Sequence, residues 1–339
     1  MVYFSHMDIY KWFRSSKSLV LVIGIAVLGM AYWGYQTYDR LANPATVRFA
    51  SSKGQTEGFL TDIIKAYEID KKHGINLQVE KYDPLDAYKA IEERKVDAGM
   101  LAPYPAALAQ LRGSDIRLFA PMRWNVTSLL VKQDSPYKTL EDLRGKKIGV
   151  AACGSSFFID ATITLASRGY DFKKDFSVVE GKTDVLMTAF NQGGLDAIVM
   201  LAEPRVSKEL ASGNMREIVR LRDLWMEATG DYAPCHSVAA YNDWIDANPK
   251  VAKGLNATFI DAIQFIQTHP EVFIQQKEAL KAIGLESESE IAQFRSMIPS
   301  IYPSRWDETS ERNSALYLKK AFELGLLDVQ VSSVTRLVR

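Results

Sequence analysis

The sequence is poor in cysteine and histidine, with 2 cysteines and 4 histidines among 339 residues. Two cysteines are too few for a disulfide scaffold, and Cys153 and Cys235 lack the C-x-x-C spacing of a redox or zinc site. They are interpreted either as two free buried thiols or as a single bridge. The histidines show no H-x-x-x-H pairing, so a metal site has no support in the sequence. We therefore expect neither a metal nor another cofactor.

The chain also lacks an excess of charge and the commonest catalytic signatures. Lys plus Arg equals Asp plus Glu at 41 each, so no long-range field would attract a nucleic acid or an anionic membrane surface. Neither GxxxxGK[ST] nor G-x-S-x-G occurs in the sequence, which removes the commonest phosphate-binding and hydrolase motifs. Nucleic acid is excluded as an expected partner.

One long uncharged run is present, SLVLVIGIAVLGMAYWGY (Ser18–Tyr35), which is about the minimum length of a membrane-spanning helix. Lys11, Arg14 and Lys17 precede it, so the positive-inside rule places the N-terminus in the cytoplasm. We predict a single-pass protein of the inner membrane with its main part in the periplasm or extracellular space. The predicted parts are a cytoplasmic segment 1–17, an anchor 18–38 and a linker 39–46.

Two interpretations of this run stay open. Tyr32, Trp33, Tyr35 and Tyr38 cluster at its distal end, as in an aromatic belt at a membrane interface, which favours a retained anchor. The alternative is a cleaved signal peptide, with Gly29-Met30-Ala31 as the small-x-small cleavage site. No cysteine follows the run, which excludes a lipoprotein anchor.

A motif occurs twice, as VDAGMLAPYPAAL (Val96–Leu108) and as LDAIVMLAEPRVSKEL (Leu195–Leu210). Each copy has an Asp-Ala pair, an apolar run ending in Met-Leu-Ala, and a proline soon afterwards. Asp97 and Asp196, in the repeated pairs, are interpreted as turn or capping residues. Each motif occupies the third strand position of a β-α-β-α-β pattern, and 339 residues exceed the comfortable size of one core. We therefore predict two α/β lobes, each with a mostly parallel sheet.

The alternation of period-two and helical patterns places the elements of both lobes. The first pattern predicts strands at 47–51, 75–82 and 96–101 with helices at 59–72 and 86–94, and the second predicts strands at 147–152, 176–181 and 195–201 with helices at 155–167 and 184–191. A helical part, 249–327, is expected to pack on the first lobe. The predicted limits are 47–126 plus 234–327 for lobe 1, 127–233 for lobe 2 and 328–339 for a loosely held tail.

Several segments resemble one known family in the right order along the chain. They are SPYKTLEDLRGKKIGVAACGSSFFIDATITLASRGYD, KKHGINLQVEKY, VDAGMLAPYPAAL and NDWIDANPKVAKGLNATFIDAIQFIQTHPE. They are similar to segments of the substrate-binding proteins of ABC importers, in the group for nitrate, sulfonates, taurine and thiamine-precursor pyrimidines. The chain departs from that group in its N-terminal anchor and in having Cys153 before Gly-Ser-Ser.

The resemblance implies a two-lobed periplasmic-binding-protein fold that closes on a small solute about a hinge. It implies an ABC permease and its ATPase as partners, and a small organic or anionic solute that is sulfonate-like, nitrate-like or pyrimidine-like. The alternatives are a membrane-tethered ligand sensor and, less favoured, an enzyme on the same fold.

The loops that follow strands carry the candidate ligand residues, because ligands of open α/β sheets lie beyond the carboxyl ends of the strands. Gly154, Ser155 and Ser156 are expected at a helix N-terminus, where free N–H groups favour an acceptor group. The alternative role of one serine is a simple N-cap. By resemblance, the positions of Ser155 and Ser156 often contact solute.

The other candidates come from the remaining loops. Tyr104 and Trp124 offer flat apolar faces for a planar ligand, or are packing residues. Glu203 ends a buried strand and needs a partner, which is Arg205, Lys53 or a ligand amine. The predicted ligand-binding set is Ser52, Lys53, Tyr104, Trp124, Gly154, Ser155, Ser156, Glu203 and Arg205.

Overall fold

The structure is a computed structural model that describes residues 16–152, 155–232 and 234–338. The chain divides into two compact units, Met1–Ala45 and Thr46–Arg339. Several predicted features lie outside the described part: the cytoplasmic segment as far as residue 15, the side chains of Trp33, Tyr35 and Tyr38, and both Cys153 and Gly154.

The N-terminal unit contains helix α1, Ser16–Ala42, which has 27 residues and includes the predicted anchor 18–38. Apolar side chains along it are exposed, among them Val20 at 68% and Leu28 at 71% of their full accessibility. No helix in the described part of the chain combines the length and apolarity needed to cross a membrane.

The larger unit contains two five-stranded sheets built to one plan. The first sheet has the order β2-β1-β3-β10-β4 and the second the order β7-β6-β8-β5-β9. The strands are β1 Ala45–Ser52, β2 Ile75–Tyr82, β3 Ala98–Leu101, β4 Ile116–Pro121, β5 Ser128–Lys132, β6 Lys147–Ala151, β7 Ser177–Gly181, β8 Ala197–Leu201, β9 Met215–Arg220 and β10 Ser237–Tyr241.

Both sheets are mixed, which corrects the prediction of mostly parallel sheets. In the first sheet β1 pairs with β3 in parallel, but β10 is antiparallel to both β3 and β4. In the second sheet β6 is parallel to β7 and β8, but β5 is antiparallel to both β8 and β9. The reason is that β5 and β10 are the strands by which the chain passes between the lobes, and each enters its sheet against the direction of its neighbours.

The repeated Asp-Ala motif performs the same task in each lobe. Asp97 Oδ2 accepts the backbone N–H of Arg48 at 2.8 Å, and Asp196 Oδ2 accepts that of Lys147 at 2.9 Å. Asp97 also donates its own N–H to the carbonyl of Arg48, and Asp196 donates its own to the carbonyl of Lys147. The two carboxylates therefore fasten the residue before the third strand to the first strand, which is a bond between strands and not the turn or capping role that was expected.

The helices of both lobes follow the predicted pattern, with one correction. The helix predicted over 59–72 is two helices, because Glu68 takes a left-handed conformation with φ 51° and ends the first. A 3₁₀ turn covers Glu141–Leu143. The helices are α2 Thr56–Ala66, α3 Ile69–Lys72, α4 Pro84–Glu92, α5 Pro103–Leu111, α6 Ser156–Ala166, α7 Phe172–Asp175, α8 Thr183–Asn191, α9 Arg205–Ala211 and α10 Leu221–Thr229.

The C-terminal helices do more than cover the first lobe. Helices α11 Asn242–Ala247, α12 Pro249–Thr268, α13 Val272–Gln275, α14 Lys277–Ala282, α15 Glu288–Ile301 and α16 Glu308–Glu323 follow β10. Helix α12 packs on β4 and α2, as predicted for this part. Helix α15 packs on α9 of the second lobe, and α16 contacts both α5 and α6, one helix from each lobe.

The prediction of a loosely held tail over 328–339 is wrong for its described residues, 328–338. Leu118 in β4 donates its backbone N–H to Val334 at 2.8 Å and accepts that of Arg336 at 2.8 Å. Val334 is fully buried. The tail thus pairs with an edge strand of the first sheet and satisfies backbone groups that water would otherwise solvate.

Candidate functional site

A cavity of about 560 Å³ lies between the two lobes. This volume is typical of small-molecule sites. Its walls come from α4 and α5 of the first lobe, from the loop after β6 and helix α6 of the second, and from the segment that leads into β10. Helix α16 closes the base with Tyr317. The cavity is therefore assembled from both lobes and from helix α16, which contacts both.

The first-lobe wall is mostly apolar. Helix α4 contributes Pro84 and Leu85, and α5 contributes Pro103, Pro105 and Leu108. Both helices start with a proline whose fixed φ suits the first helical position and whose missing N–H leaves no unpaired donor there. Both helix starts therefore present a proline ring to the cavity.

The second-lobe wall is the start of α6. Ser155 is its N-cap, and its hydroxyl oxygen accepts the backbone N–H of Phe158 at 3.2 Å. Ser156 and Phe157 continue this wall. Tyr104 faces it from α5, and its hydroxyl donates to the carbonyl of Leu326 at 2.7 Å. The C-terminal segment thus holds the hydroxyl of Tyr104, and the rest of the Tyr104 side chain is left to line the cavity.

A buried cluster of charged and polar groups stands behind the first-lobe wall. Arg123 Nε donates to Glu57 Oε1, which also contacts His236 Nδ1. The Tyr88 hydroxyl contacts His236 Nε2. Tyr88, Arg123 and His236 line the cavity, whereas Glu57 is fully buried. Glu57 thereby holds the orientation of two side chains that reach the cavity.

The protonation states of this cluster follow from burial and charge. Burial acts to raise the pKa of the Glu57 carboxyl, but Arg123 and His236 outweigh it and hold that pKa well below its usual range. Burial lowers the pKa of His236 and raises that of Tyr88 well above its ordinary value. Glu57 is therefore ionised, Tyr88 carries its proton, and His236 is neutral at pH 7 with Nδ1–H directed at the carboxylate.

A carboxyl lines the cavity on the side of the second lobe. Asp160 in α6 is 7% exposed, and its Oδ1 accepts the hydroxyl of Tyr317. Burial raises the pKa of Asp160 to about 7. Nearby, Cys235 is a free thiol whose pKa burial raises to about 12, so it is protonated at neutral pH.

The structure brings three of the nine predicted ligand residues to the cavity wall, namely Tyr104, Ser155 and Ser156. Gly154 lies outside the described residues. Ser52 is fully buried with its hydroxyl 3.5 Å from Glu57 Oε2, and Lys53 is exposed. Lys53 donates its N–H to the carbonyl of Tyr82, and the residue of this loop that lines the cavity is Gln55.

The other three predicted residues are also absent from the cavity wall. Trp124 is 8% exposed and packs against the ring of Tyr232 at a centroid distance of 5.8 Å. Glu203 is 3% exposed, and both the N–H and the hydroxyl of Ser207 donate to its Oε2. Arg205 is exposed, 3.9 Å from Glu209. Glu203 therefore has a local partner, and its neighbour Ala202 lines the cavity instead.

Sequence reasoning missed the polar cavity residues Gln55, Tyr88, Arg123, Asp160, His236 and Tyr317. One of them carried a signal, because Asp160 is the only charged residue in SFFIDATITLA, the sequence of α6. A single carboxyl on an otherwise apolar helix is expensive to bury and indicates a special role. Arg123 follows β4, a strand that the sequence pattern did not predict.

Comparison with known proteins gives one family match and one curated relative. A family model described as NMT1/THI5 like matches residues 71–272. The putative aliphatic sulfonates-binding protein of Escherichia coli K12 is 27% identical over 176 residues, which cover 51% of this chain and 52% of that protein. The match thus spans about half the length of this curated relative.

Solved structures share the fold at low sequence identity. The periplasmic aliphatic sulphonate-binding protein SsuA of Escherichia coli superposes with a TM-score of 0.66 at 19% identity, covering 85% of this chain and 96% of that one. SsuA of Xanthomonas axonopodis pv. citri, bound to MOPS, gives 0.65 at 17% identity over 87% and 99%. The nitrate-binding protein NrtA of Synechocystis PCC 6803 gives 0.59 at 15% over 85% and 83%. The predicted two-lobed periplasmic-binding-protein fold is confirmed.

Proposed function

The chain belongs to the NMT1/THI5-like family, and from this premise we propose that it is the extracytoplasmic solute-binding component of an ABC-type importer. The single observation that carries the proposal is the cavity of about 560 Å³ with walls from both lobes. The names of the sulfonate- and nitrate-binding proteins that share its fold support the same role. Its partners would be an ABC permease and the ATPase of that permease.

Closure of the lobes on the solute is the proposed working step. The lobes are joined by the segments around β5 and β10, and a ligand that touches both walls binds the closed state better than the open one. Tyr104 on one wall and Ser155 and Ser156 on the other are the proposed contacts among the residues predicted from sequence. The permease would recognise the closed form.

We propose binding without chemical turnover. Glu57 contacts His236, which contacts Tyr88, and this arrangement resembles a catalytic relay. A tyrosine whose pKa is raised well above its ordinary value is, however, a poor nucleophile. The Cys235 thiol, with a pKa of about 12, is also unreactive at neutral pH. The arrangement of Glu57, His236 and Tyr88 instead fixes the cavity wall through buried hydrogen bonds.

We also propose that the N-terminal segment holds the protein at the inner membrane. The support is the uncharged run Ser18–Tyr35, its basic flank and the exposed apolar side chains of α1. Carbonate extraction of cell membranes should leave the chain in the pellet, and mass spectrometry should find its N-terminal peptides. Release into the periplasm with a mature N-terminus after Ala31 would contradict the anchor.

Solute binding is tested on the full-length protein by a thermal-shift screen against sulfonates, nitrate, pyrimidines, riboflavin and amines. A bound solute should raise the unfolding midpoint, because it stabilises only the folded state. Small-angle scattering should then show a smaller radius of gyration in the presence of that solute. A hit with no change of radius would contradict closure, and the absence of any hit would contradict solute binding.

A further inference from the structure

The charges that line the cavity do not form an anion site. Arg123 supplies a guanidinium, but Glu57 already matches its charge in a pair whose side chains are 7% and 0% exposed. Among the described residues that line the cavity, the remaining group that is charged near neutral pH is Asp160. With Glu57 counted, these charges sum to −1 when Asp160 is ionised and to zero when it is protonated.

Asp160 has an unused acceptor atom. Its Oδ1 takes the hydroxyl of Tyr317, whereas its Oδ2 accepts no hydrogen bond from the described residues. The side chain also forms no ion pair with any of the described basic groups. Because this carboxyl is more than nine-tenths buried and lines the cavity, a donor supplied by the ligand would complete its hydrogen bonding.

The rest of the cavity wall favours an apolar body on that ligand. Pro84, Leu85, Pro103 and Leu108 line the first lobe, and Phe157 faces them from the second. Such surfaces gain free energy by removing apolar area from water. These side chains offer no donors to a sulfonate or nitrate group, and the uncharged donors of the cavity wall include Gln55, Ser155 and Ser156.

Building on the proposed function, we infer that the cavity takes a small organic cation, a protonated amine on an aliphatic or aromatic body, whose N–H group donates to Asp160 Oδ2. A cation brings the missing charge and donor to the carboxylate, whereas an anion would add a second negative charge to a buried site. This solute class differs from those in the names of the sulfonate- and nitrate-binding relatives.

Amine and anionic ligands should differ in the direction in which their affinity changes with pH. The titratable groups that face Asp160 are Tyr317 from α16, Arg123 after β4, Cys235 before β10 and Tyr88 from α4. The pKa of each lies well away from neutrality, so Asp160 is the group among them that changes charge near pH 7. An amine must bind the ionised form, and its affinity falls as the pH falls below 7; an anion would bind better at low pH.

The experiment is calorimetric titration of the full-length protein with matched probes at pH 8.0, 7.0 and 6.0. The probes are butylamine, benzylamine and 2-phenylethylamine, each paired with the sulfonate of the same carbon body. We expect amines to bind and sulfonates not to, with amine affinity falling about tenfold for each pH unit below the pKa of Asp160. Asp160→Asn should weaken amine binding by about 30-fold or more, while Asp184→Asn, an exposed aspartate of the same lobe, should not.

A second variant keeps the test decisive if Asp160→Asn does not fold. Tyr317→Phe removes the donor to Oδ1 but keeps the carboxyl, so the pH at which amine binding is half lost should move upwards. Preferential binding of a sulfonate, or tighter binding at lower pH, would overturn the inference while leaving the solute-binding function intact. Binding of neither series at any pH would overturn both.

Discussion

The guanidinium of Arg123 and the carboxylate of Glu57 form an ion pair that is almost completely removed from water, although 66 residues separate them in the chain. The pair joins the first turn of α2 to the segment that follows β4. The Nδ1 atom of His236 contacts the same oxygen of Glu57. One buried carboxylate thus positions two residues of the cavity wall.

Loss of Glu57 should be strongly destabilising. Glu57→Gln leaves the Arg123 guanidinium buried without a counter-charge, which should lower the free energy of unfolding by about 3–5 kcal/mol. Urea unfolding followed by tryptophan fluorescence measures this loss. Replacing both residues, as in Glu57→Gln with Arg123→Met, should recover part of it, because no unpaired charge remains.

Glu93→Gln, which removes a surface partner of Lys95, is the control and should change little. Equal losses for Glu57→Gln and the control would refute this account.

Stability should depend on the protonation of Asp160 in the free protein. Its pKa is raised from 3.8 to about 7 in the folded state, so between about pH 4 and pH 7 the native protein holds a proton that the unfolded chain has released. This contribution is present at low pH and is lost as the pH rises to 7. Asp160→Asn cannot ionise, and it should therefore raise the free energy of unfolding at pH 8 by an amount on the order of 2 kcal/mol.

Urea titrations at pH 8 and pH 5 check this prediction, with Asp184→Asn as the matched control. The gain of Asp160→Asn over the wild type should be smaller at pH 5, where the native Asp160 is mostly protonated. The same gain at both pH values would mean that ionisation of Asp160 is not its cause. A gain in stability that accompanies loss of amine binding would identify Asp160 as a residue kept for function at a cost to folding.

Ser155 should be needed as a helix cap independently of any ligand. Its hydroxyl accepts the N–H of Phe158, so Ser155→Ala should cost about 1 kcal/mol of stability. Ser155→Asn keeps a capping acceptor and should retain the stability, as should Ser156→Ala, whose serine is exposed at the first helical position. Denaturant unfolding ranks the three variants. A ligand contact is then indicated only if Ser155→Asn loses binding while remaining as stable as the wild type.

Gly58 should not tolerate a side chain. A Cβ added there would lie 2.3 Å from the carbonyl oxygen of Ser52, and the backbone of β1 and the first turn of α2 would have to separate. Gly58→Ala should cost about 3 kcal/mol. Gly113→Ala, at a position with φ 92° and no neighbour within 4 Å of the added atom, should cost only about 1–2 kcal/mol of backbone strain. Thermal unfolding of the two variants compares them, and a milder effect at Gly58 would argue against the close contact.

The local pattern of apolar and polar residues was sufficient to predict most of the strands and helices. The strand predicted over 75–82 is β2 itself, and the predicted strands and helices of the second lobe differ from the structure by one or two residues at their ends. Strands β4 and β9 were missed because the regions around Arg117 and Arg216 mix charged and apolar residues without a clear period. The tail was misjudged because its hydrogen bonds are made to Leu118, which no local pattern reveals.

What the sequence determined by itself was the plan: two α/β lobes, the third strand marked by the Asp-Ala pair in each, and the serines at the start of α6. These features depend on interactions between residues that are close in sequence or share a strand register, and hydrophobic period and capping residues record them.

Only the tertiary structure decided which polar residues meet in the cavity. Glu57, Arg123 and His236 come together across 66 and 113 residues of chain, and the side chain that ends a strand in sequence, Glu203, is turned to its own helix by Ser207. Whether a carboxyl faces the cavity or the core is set by how the lobes pack, and packing between distant segments leaves no period in the sequence.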